Sequence, residues 1–148
     1  MRKSLSICAL VLCLAGCASN SPYGNYSAAP PAYDRAMATD TVSHLVSMYP
    51  PAHTRWNMMQ PAEDPYGKSL VELLRGRGYS VSEYVSPGKG QAPAPAQGTP
   101  LHYLVDSLSP SADLYRVTVV VSGQPISRAY IKQKNGTVAA AGSWSRKE

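Results

Sequence analysis

All three cysteines of this chain fall within its first seventeen residues, at Cys8, Cys13 and Cys17. No thiol follows them, so a domain formed by the rest of the chain has no disulfide and no cysteine-bound metal to stabilise it. Such a domain has to fold on its hydrophobic core alone. Its folding signals are therefore patterns of apolar residues, helix caps and turns.

The cysteines themselves lie in what reads as a targeting segment. Arg2 and Lys3 form a basic start, an apolar run follows up to Leu14, and small residues stand before Cys17. Leu14-Ala15-Gly16-Cys17 resembles the lipobox of bacterial lipoproteins, in which the cysteine thiol receives a diacylglycerol and the preceding bond is cleaved. A membrane-spanning helix needs about 20 apolar residues, more than this run provides. The sequence predicts a lipoprotein signal peptide over residues 1–16 and lipid attachment at Cys17, with an ordinary secretory signal as the alternative.

Charge gives little support to nucleic-acid binding. Losing Arg2 and Lys3 with the signal peptide lowers the formal net charge from +5 to +3. The remaining basic residues are spread along the chain, whereas nucleic-acid sites need clustered Lys and Arg. The chain also has ten Tyr and no Phe, which is typical of half-exposed strands and interfaces.

The mature chain divides into a tether and one domain. Residues 17–33 are predicted to be a lipidated N-terminus and flexible tether, because Ser, Asn, Pro, Gly, Ala and Tyr follow one another without apolar periodicity. Residues 34–148 are predicted to form a single periplasmic domain.

The domain shows two helical patterns and several strand patterns. Asp64 as cap, Pro65 at the first position and Gly76 and Gly78 at the end delimit the clearer helix. With the strands on either side of it, this helix makes a βαβ-type unit. Asn135-Gly136 predicts a type I′ hairpin turn. The predicted elements are a helix over 34–48, a strand over 54–59, a helix within 61–78, a strand over 79–85, a loop over 86–100, and strands over 101–108, 114–122, 126–133 and 138–144.

Together these elements predict an α+β fold, a two-layer sandwich of two helices packed on a mainly antiparallel sheet of about five to six strands.

The sequence contains no pattern that indicates catalysis. The three histidines lack the spacing of metal ligands, and Glu63-Asp64 at a helix start are read as capping residues. We therefore expect no catalytic residue, no metal, no small-molecule substrate and no cofactor other than a covalent lipid on Cys17. Arg116, Arg128 and Tyr130 are expected to share one face of neighbouring strands; a solvated outer sheet face is the alternative. The full set of candidate interaction residues is Tyr115, Arg116, Arg128, Tyr130 and Trp144.

Several short strings of the chain, in their order and spacing, resemble the TrbH family of conjugal transfer lipoproteins. Besides the lipobox, the matching strings are Tyr49-Pro50-Pro51-Ala52, Gln60-Pro61-Ala62-Glu63-Asp64, residues 70–79, Leu114-Tyr115-Arg116-Val117, Ser127-Arg128-Ala129-Tyr130 and residues 141–148.

This resemblance implies a non-enzymatic structural component of a type IV secretion apparatus that assembles the mating bridge for plasmid DNA. Ala18 and Ser19 lack the aspartate that commonly retains lipoproteins in the inner membrane, so an outer-membrane location with the domain facing the periplasm is expected. The resemblance implies other subunits of the core complex as partners, and no direct contact to nucleic acid is expected. Only the lipid-attachment residue carries over from the family, onto Cys17. The alternative is an envelope lipoprotein that binds peptidoglycan or lipopolysaccharide outside any secretion machine; a periplasmic hydrolase would need a polar triad that the sequence does not present.

Overall fold

Two α-helices cover one face of a mixed sheet in the computed structural model, which describes residues 21–92, 95, 97–111 and 113–147. The predicted signal peptide and the predicted lipid-attachment residue Cys17 lie outside the described residues. Neither helix in the described part of the chain has both the length and the apolar composition that crossing a bilayer requires. In chain order the elements are β1 (Gly24–Asn25), α1 (Pro31–Met48), a short 3-10 helix (Pro51–His53), β2 (Arg55–Met58), α2 (Pro65–Gly76), β3 (Ser80–Ser82), β4 (Thr99–Ser107), β5 (Leu114–Val121), β6 (Gln124–Lys132), β7 (Val138–Ala140) and β8 (Ser145–Arg146).

The sheet combines a parallel part and an antiparallel part. Its strand order is β3-β2-β4-β5-β6-β7, with β1 added to β4 and β8 added to β6. Strands β2 and β3 are parallel and α2 connects them, which confirms the βαβ unit. Strands β4, β5 and β6 form an antiparallel meander. The predicted α+β sandwich is confirmed, with eight strands where five to six were expected.

Both helices follow from their local sequence. Asp64 caps α2 by accepting a hydrogen bond from the Gly67 backbone N–H at 2.9 Å, as predicted. Leu70 and Leu74, one turn apart, are fully buried and face the sheet. Helix α1 buries Met37 and Leu45 in the same way. The largest fully buried side chains of the resulting core include Trp56, Tyr66, Tyr103, Met37 and Leu45.

The predicted boundary at Asp34 is wrong, because the folded domain begins with β1. Gly24 and Asn25 pair with Leu104 and Val105 of β4, and Tyr33 is only 8% exposed. The Asn25 side chain donates to Asp34 Oδ1 at 2.9 Å. Backbone pairing and polar side-chain bonds hold this segment in place, so a search for apolar periodicity could not detect it.

The hairpin turns also differ from the expectation. Ser122 and Gly123 have φ angles of 48° and 83°, the two positive values of a type I′ turn, and they join β5 to β6 directly. At Asn135-Gly136 only the glycine has positive φ, and the Asn135 side chain accepts from the Thr137 N–H at 3.1 Å. The chain turns there, but the predicted type I′ geometry is wrong.

The predicted strand over 138–144 is split into β7 and β8. Between them Arg128 Nε donates to the Gly142 carbonyl oxygen at 2.7 Å. The pairing register with β6 shifts by two residues across this interruption, from Tyr130 opposite Ala140 to Ser127 opposite Ser145. Two extra residues on the β7–β8 side therefore bulge out and interrupt the ladder, and this split accounts for one of the additional strands.

Candidate interaction surfaces

The three residues expected to share a face are divided between the two faces of the sheet. Tyr115 lies opposite Tyr130, whereas Arg116 lies opposite Ala129. Residues directly opposite each other project from the same face and neighbours along a strand from opposite faces. Tyr130 and Arg128 therefore face the helices, and Arg116 faces away from them. The expectation that Arg116, Arg128 and Tyr130 form one surface is wrong.

Arg128 and Tyr130 join helix α1 to the sheet through Asp40. The Asp40 carboxylate accepts two hydrogen bonds from Arg128 Nη1, at 3.0 and 2.9 Å, and one from Tyr130 Oη at 2.6 Å. Tyr130 is 2% exposed. Burial and the hydrogen bond to the carboxylate both raise the pKa of Tyr130. We name Asp40, Arg128 and Tyr130 the Asp40 cluster; it connects elements of this fold and offers no tyrosine to a partner.

Tyr115 and Trp144 are likewise engaged within the domain. Tyr115 is 3% exposed, and its ring meets Tyr33 edge-on at 6.0 Å between centroids. Trp144 is half-buried and stacks on His44 of α1 at 4.8 Å and an interplanar angle of 5°. Burial lowers the pKa of His44, which favours the neutral imidazole beneath the indole. Both aromatic residues pack the sheet and its last strand against α1.

Arg116 occupies the outer face of the sheet, where it forms an ion pair with Asp106 of the neighbouring strand. Leu104, Thr118 and Ser127 extend this face, with a hydrogen bond of 2.8 Å between the two hydroxyls. Ile131 is 42% exposed. Of the five candidate residues, Arg116 alone projects from this face.

The two edges of the sheet differ in what covers them. At the β3 edge, Arg75 Nη2 donates to the Val81 carbonyl oxygen at 3.2 Å while Nη1 pairs with Glu83 at 2.7 Å. A charged side chain placed on an edge strand hinders pairing with another chain. The β3 edge is therefore blocked by its own crossover helix.

The β7 edge is open in the described part of the chain. Ala141 donates to the Ala129 carbonyl oxygen and Gln133 to the Thr137 carbonyl oxygen. Since hydrogen-bonded and non-hydrogen-bonded pairs alternate along an antiparallel ladder, the backbone N–H and C=O groups of Val138 and Ala140 point away from β6. These four groups are the ones a further strand would use.

A groove of about 490 Å³ lies where β2 and β3 end. Met59, Tyr84 and Val85 contribute to its lining, and Val85 is 83% exposed. The groove suits an apolar surface better than a charged ligand. Among the described residues no group of three His, Cys, Asp or Glu side chains is placed to hold a metal ion.

Asp34, the residue that receives the N-terminal segment, is a buried carboxyl with incomplete hydrogen bonding. It is 1% exposed, and Oδ2 has no hydrogen-bond partner within the described chain. Burial raises the pKa of Asp34 from 3.8 to about 6, a rise that the Asn25 hydrogen bond opposes and the charge of Asp64 assists. The folded domain therefore binds this proton more tightly than the unfolded chain does.

We expect Asp34→Asn to stabilise the domain at pH 7.5 by about 2–3 kcal/mol, since a pKa raised from 3.8 to about 6 is about a hundredfold change in proton affinity and each tenfold corresponds to about 1.4 kcal/mol. In the wild type this penalty is absent below about pH 4, grows as the pH rises to about 6, and is then constant. Chemical denaturation of both proteins across this range measures the difference, which should nearly vanish at pH 4. A variant less stable than the wild type at pH 7.5 would show that the carboxylate is required as such.

Sequence reasoning missed Asp40 and the open β7 edge. The only local signal for Asp40 was its place three residues after the buried Met37, on the side of α1 that faces the sheet. For the edge, the sequence indicated a strand but not its neighbours.

Comparison with known proteins gives one match. The family model described as conjugal transfer protein TrbH matches residues 20–148. That range contains every helix and strand of the structure. No curated protein and no solved structure matches the chain. Because the family model covers the whole folded domain, this chain belongs to the TrbH family of conjugal transfer proteins.

Proposed function

We propose that this protein is a non-enzymatic outer-membrane lipoprotein and a structural component of the conjugative type IV secretion apparatus for plasmid DNA transfer. The family match over residues 20–148 carries this proposal, since it assigns a role in conjugation to the complete domain. The lipobox ending in Cys17 supports the lipid anchor. Ala18 and Ser19 lack the aspartate that commonly retains lipoproteins in the inner membrane, which supports an outer-membrane location with the domain in the periplasm.

The proposed partners are other subunits of the secretion core complex, bound through the β7 edge. Strand addition uses main-chain hydrogen bonds for affinity, and Val138 and Ala140 present two N–H and two C=O groups outward. The opposite edge is covered by Arg75, and the tyrosines first considered for docking are buried. Neither nucleic acid nor a small molecule is a proposed ligand.

Ala140→Pro tests this docking mode. The backbone N–H of Ala140 points outward and is not part of the β6–β7 ladder. Proline at this position therefore removes a donor from the edge while leaving the internal pairing intact. We expect recovery of other transfer-system subunits with the tagged protein to fall about tenfold, the equivalent of about 1.4 kcal/mol. The measurement is affinity capture from detergent-solubilised envelopes of conjugating cells, quantified by mass spectrometry.

Ala140→Ser is the matched control, since it keeps the N–H at the same position and should recover the same subunits as the wild type. The thermal unfolding of all three proteins establishes that each is folded. Equal recovery with Ala140→Pro would rule out the β7 edge. Recovery of no transfer subunit by the wild type would argue against a structural role in the apparatus.

A further inference from the structure

One end of the domain concentrates exposed basic side chains. Strands β2, β3 and β4 are parallel and begin at the same end, and the Ser122–Gly123 turn lies there because Ser122 donates to the Pro100 carbonyl oxygen. Arg55 opens β2 opposite Ser80, the first residue of β3. Four exposed residues at this end define what we call the basic end: Arg55, Arg77, Arg146 and Lys147.

These four residues line one side of the molecule from α2 to the last strand. Arg77 is the C-terminal cap of α2, three residues before β3 begins. Arg146 pairs with Ile126 in the ladder, and the backbone N–H of Lys147 donates to the Pro125 carbonyl oxygen. Both residues therefore lie next to the turn at Gly123. Four strand spacings separate Arg55 of β2 from Arg146 of β8, a distance of about 19 Å.

The acidic side chains of the described chain lie elsewhere. Asp64 lies just before α2 and Asp113 just before β5, and both of these elements begin at the opposite end of the domain. Glu72 and Glu83 are the acidic residues closest in sequence to Arg77. Both form ion pairs with residues outside the basic end, Glu83 with Arg75 and Glu72 with Arg35. Residue 148 is outside the described chain. None of the four basic-end residues forms an ion pair in the described structure.

The chain enters the domain from the side of the basic end. Strand β1 runs parallel to β4, so the residues before Gly24 approach from the end where β4 begins. Tyr23 stacks on His102 at 4.1 Å between ring centroids, and His102 lies three residues after Thr99, about 10 Å from that end. Cys17 precedes Ser21 by four residues, which span up to about 14 Å when extended. A lipid on Cys17 can therefore reach the plane of the basic end.

We propose that the basic end binds the anionic headgroups of the membrane in which the lipid is inserted. This inference rests on the lipid anchor at Cys17 proposed above. Each Lys or Arg near an anionic bilayer surface adds attraction that is lost beyond a Debye length. A tethered domain is already held near the surface at high effective concentration, so four charges suffice to orient it. Bound in this way, the basic end faces the membrane and the β7 edge stands to the side.

The test compares the natural lipidated protein in two kinds of vesicle, phosphatidylcholine alone and phosphatidylcholine mixed with phosphatidylglycerol. Hydrogen exchange of backbone amides in residues 54–55, 77–80, 122–124 and 146–147 is the readout. We expect exchange about tenfold slower in the anionic vesicles, since attraction of this size keeps the basic end covered about nine-tenths of the time. At about 1 M salt, where the Debye length is about 3 Å, the difference should disappear.

Two variants with equal loss of charge separate position from net charge. Replacing Arg55, Arg77, Arg146 and Lys147 by Gln should abolish the slow exchange. Replacing Lys68, Lys89, Lys132 and Lys134 by Gln, all outside the basic end, should preserve it. The salt dependence of the wild type tests the electrostatic attraction itself without any substitution. If both variants lost the slow exchange in anionic vesicles to the same extent, a localised site would be contradicted.

Vesicle flotation distinguishes the two proposals. A wild-type protein that floats with neither vesicle would contradict the lipid anchor and this inference with it. If the protein floats with both vesicles and its exchange is identical in both, headgroup binding by the basic end is contradicted while the lipid anchor is supported. Stronger protection of the same amides by a short DNA duplex than by anionic vesicles would overturn the lipid assignment in favour of nucleic acid.

Discussion

Gly67→Ala is expected to destabilise the domain by about 2–4 kcal/mol. A Cβ at this position would overlap Tyr103 Oη and lie 2.8 Å from the Ala62 Cα. Tyr103 is fully buried and the contact at Ala62 is to the backbone, so neither neighbour can move aside cheaply. Overpacking of this kind costs about 1–3 kcal/mol. Displacing Tyr103 Oη also breaks its hydrogen bond to Asp64, the cap of α2, and bonds to a charged group contribute about 1.5–3 kcal/mol.

Gly76→Ala, in the last turn of the same helix, is the matched control. Apart from its chain neighbours and its own helix backbone, no atom lies within 4 Å of an added Cβ, so alanine should be neutral or stabilise by up to about 1 kcal/mol through helix propensity. Urea denaturation of both variants measures the contrast. Tyr103→Phe combined with Gly67→Ala should cost less than the sum of the single changes, since it removes the colliding oxygen. If the loss of unfolding free energy in the double variant equalled the sum of the losses in the two single variants, the steric explanation would be contradicted.

Asp40→Ala is expected to cost about 2–3 kcal/mol. The change leaves the Arg128 guanidinium, whose side chain is 22% exposed, without its carboxylate and removes the acceptor of the buried Tyr130 hydroxyl. Breaking a fully buried pair costs about 3–5 kcal/mol; the smaller value reflects the 34% exposure of Asp40. The free energy of unfolding from chemical denaturation is the measurement.

Two comparisons test the cause of this loss. Asp40→Asn keeps an acceptor for Tyr130 but removes the charge, so it should cost less than alanine. Glu72→Ala breaks the exposed pair with Arg35 and should leave stability unchanged within error. If Asp40→Ala, like Glu72→Ala, left the free energy of unfolding unchanged, the Asp40 cluster would have no role in holding α1 to the sheet.

The Asp40 cluster also connects stability to the proposed docking edge. Arg128 holds both Asp40 and the Gly142 carbonyl oxygen, and Gly142 follows β7 by two residues. Loss of Asp40 frees Arg128 to move and should loosen the β7 edge before the domain unfolds. Hydrogen exchange of residues 138–142 in Asp40→Asn would show this as faster exchange than in the wild type.

The sequence predicted the elements whose signals are local. The Asp64 cap, Pro65 and the leucine stripe delimit α2 within a few residues, because a cap and a helical face depend on positions no more than four apart. Strand segments separated by turn signals predicted β4, β5 and β6 as a meander for the same reason. The family resemblance also followed from strings along the chain, and the match over residues 20–148 confirms it.

The candidate surface could not be predicted in the same way. Which of Tyr115, Arg116, Arg128 and Tyr130 share a face depends on the register between β5 and β6, and the two-residue turn at Ser122-Gly123 sets that register. A shift of one residue moves every side chain of a strand to the other face. The predicted strands over 114–122 and 126–133 put the turn at residues 123–125, and the type I′ geometry predicted for Asn135-Gly136 occurs at Ser122-Gly123 instead.

The amino-acid sequence by itself determined the fold class, the main helices and strands and the family, since each depends on periodicity, caps and strings that are near in the chain. Tertiary structure alone decided where the domain begins, which edge of the sheet is open and what the Tyr and Arg residues do. Asp40 and Tyr130 are 90 residues apart in sequence and 2.6 Å apart in space. Contacts of that kind arise from the packing of one layer on another, which no local pattern encodes.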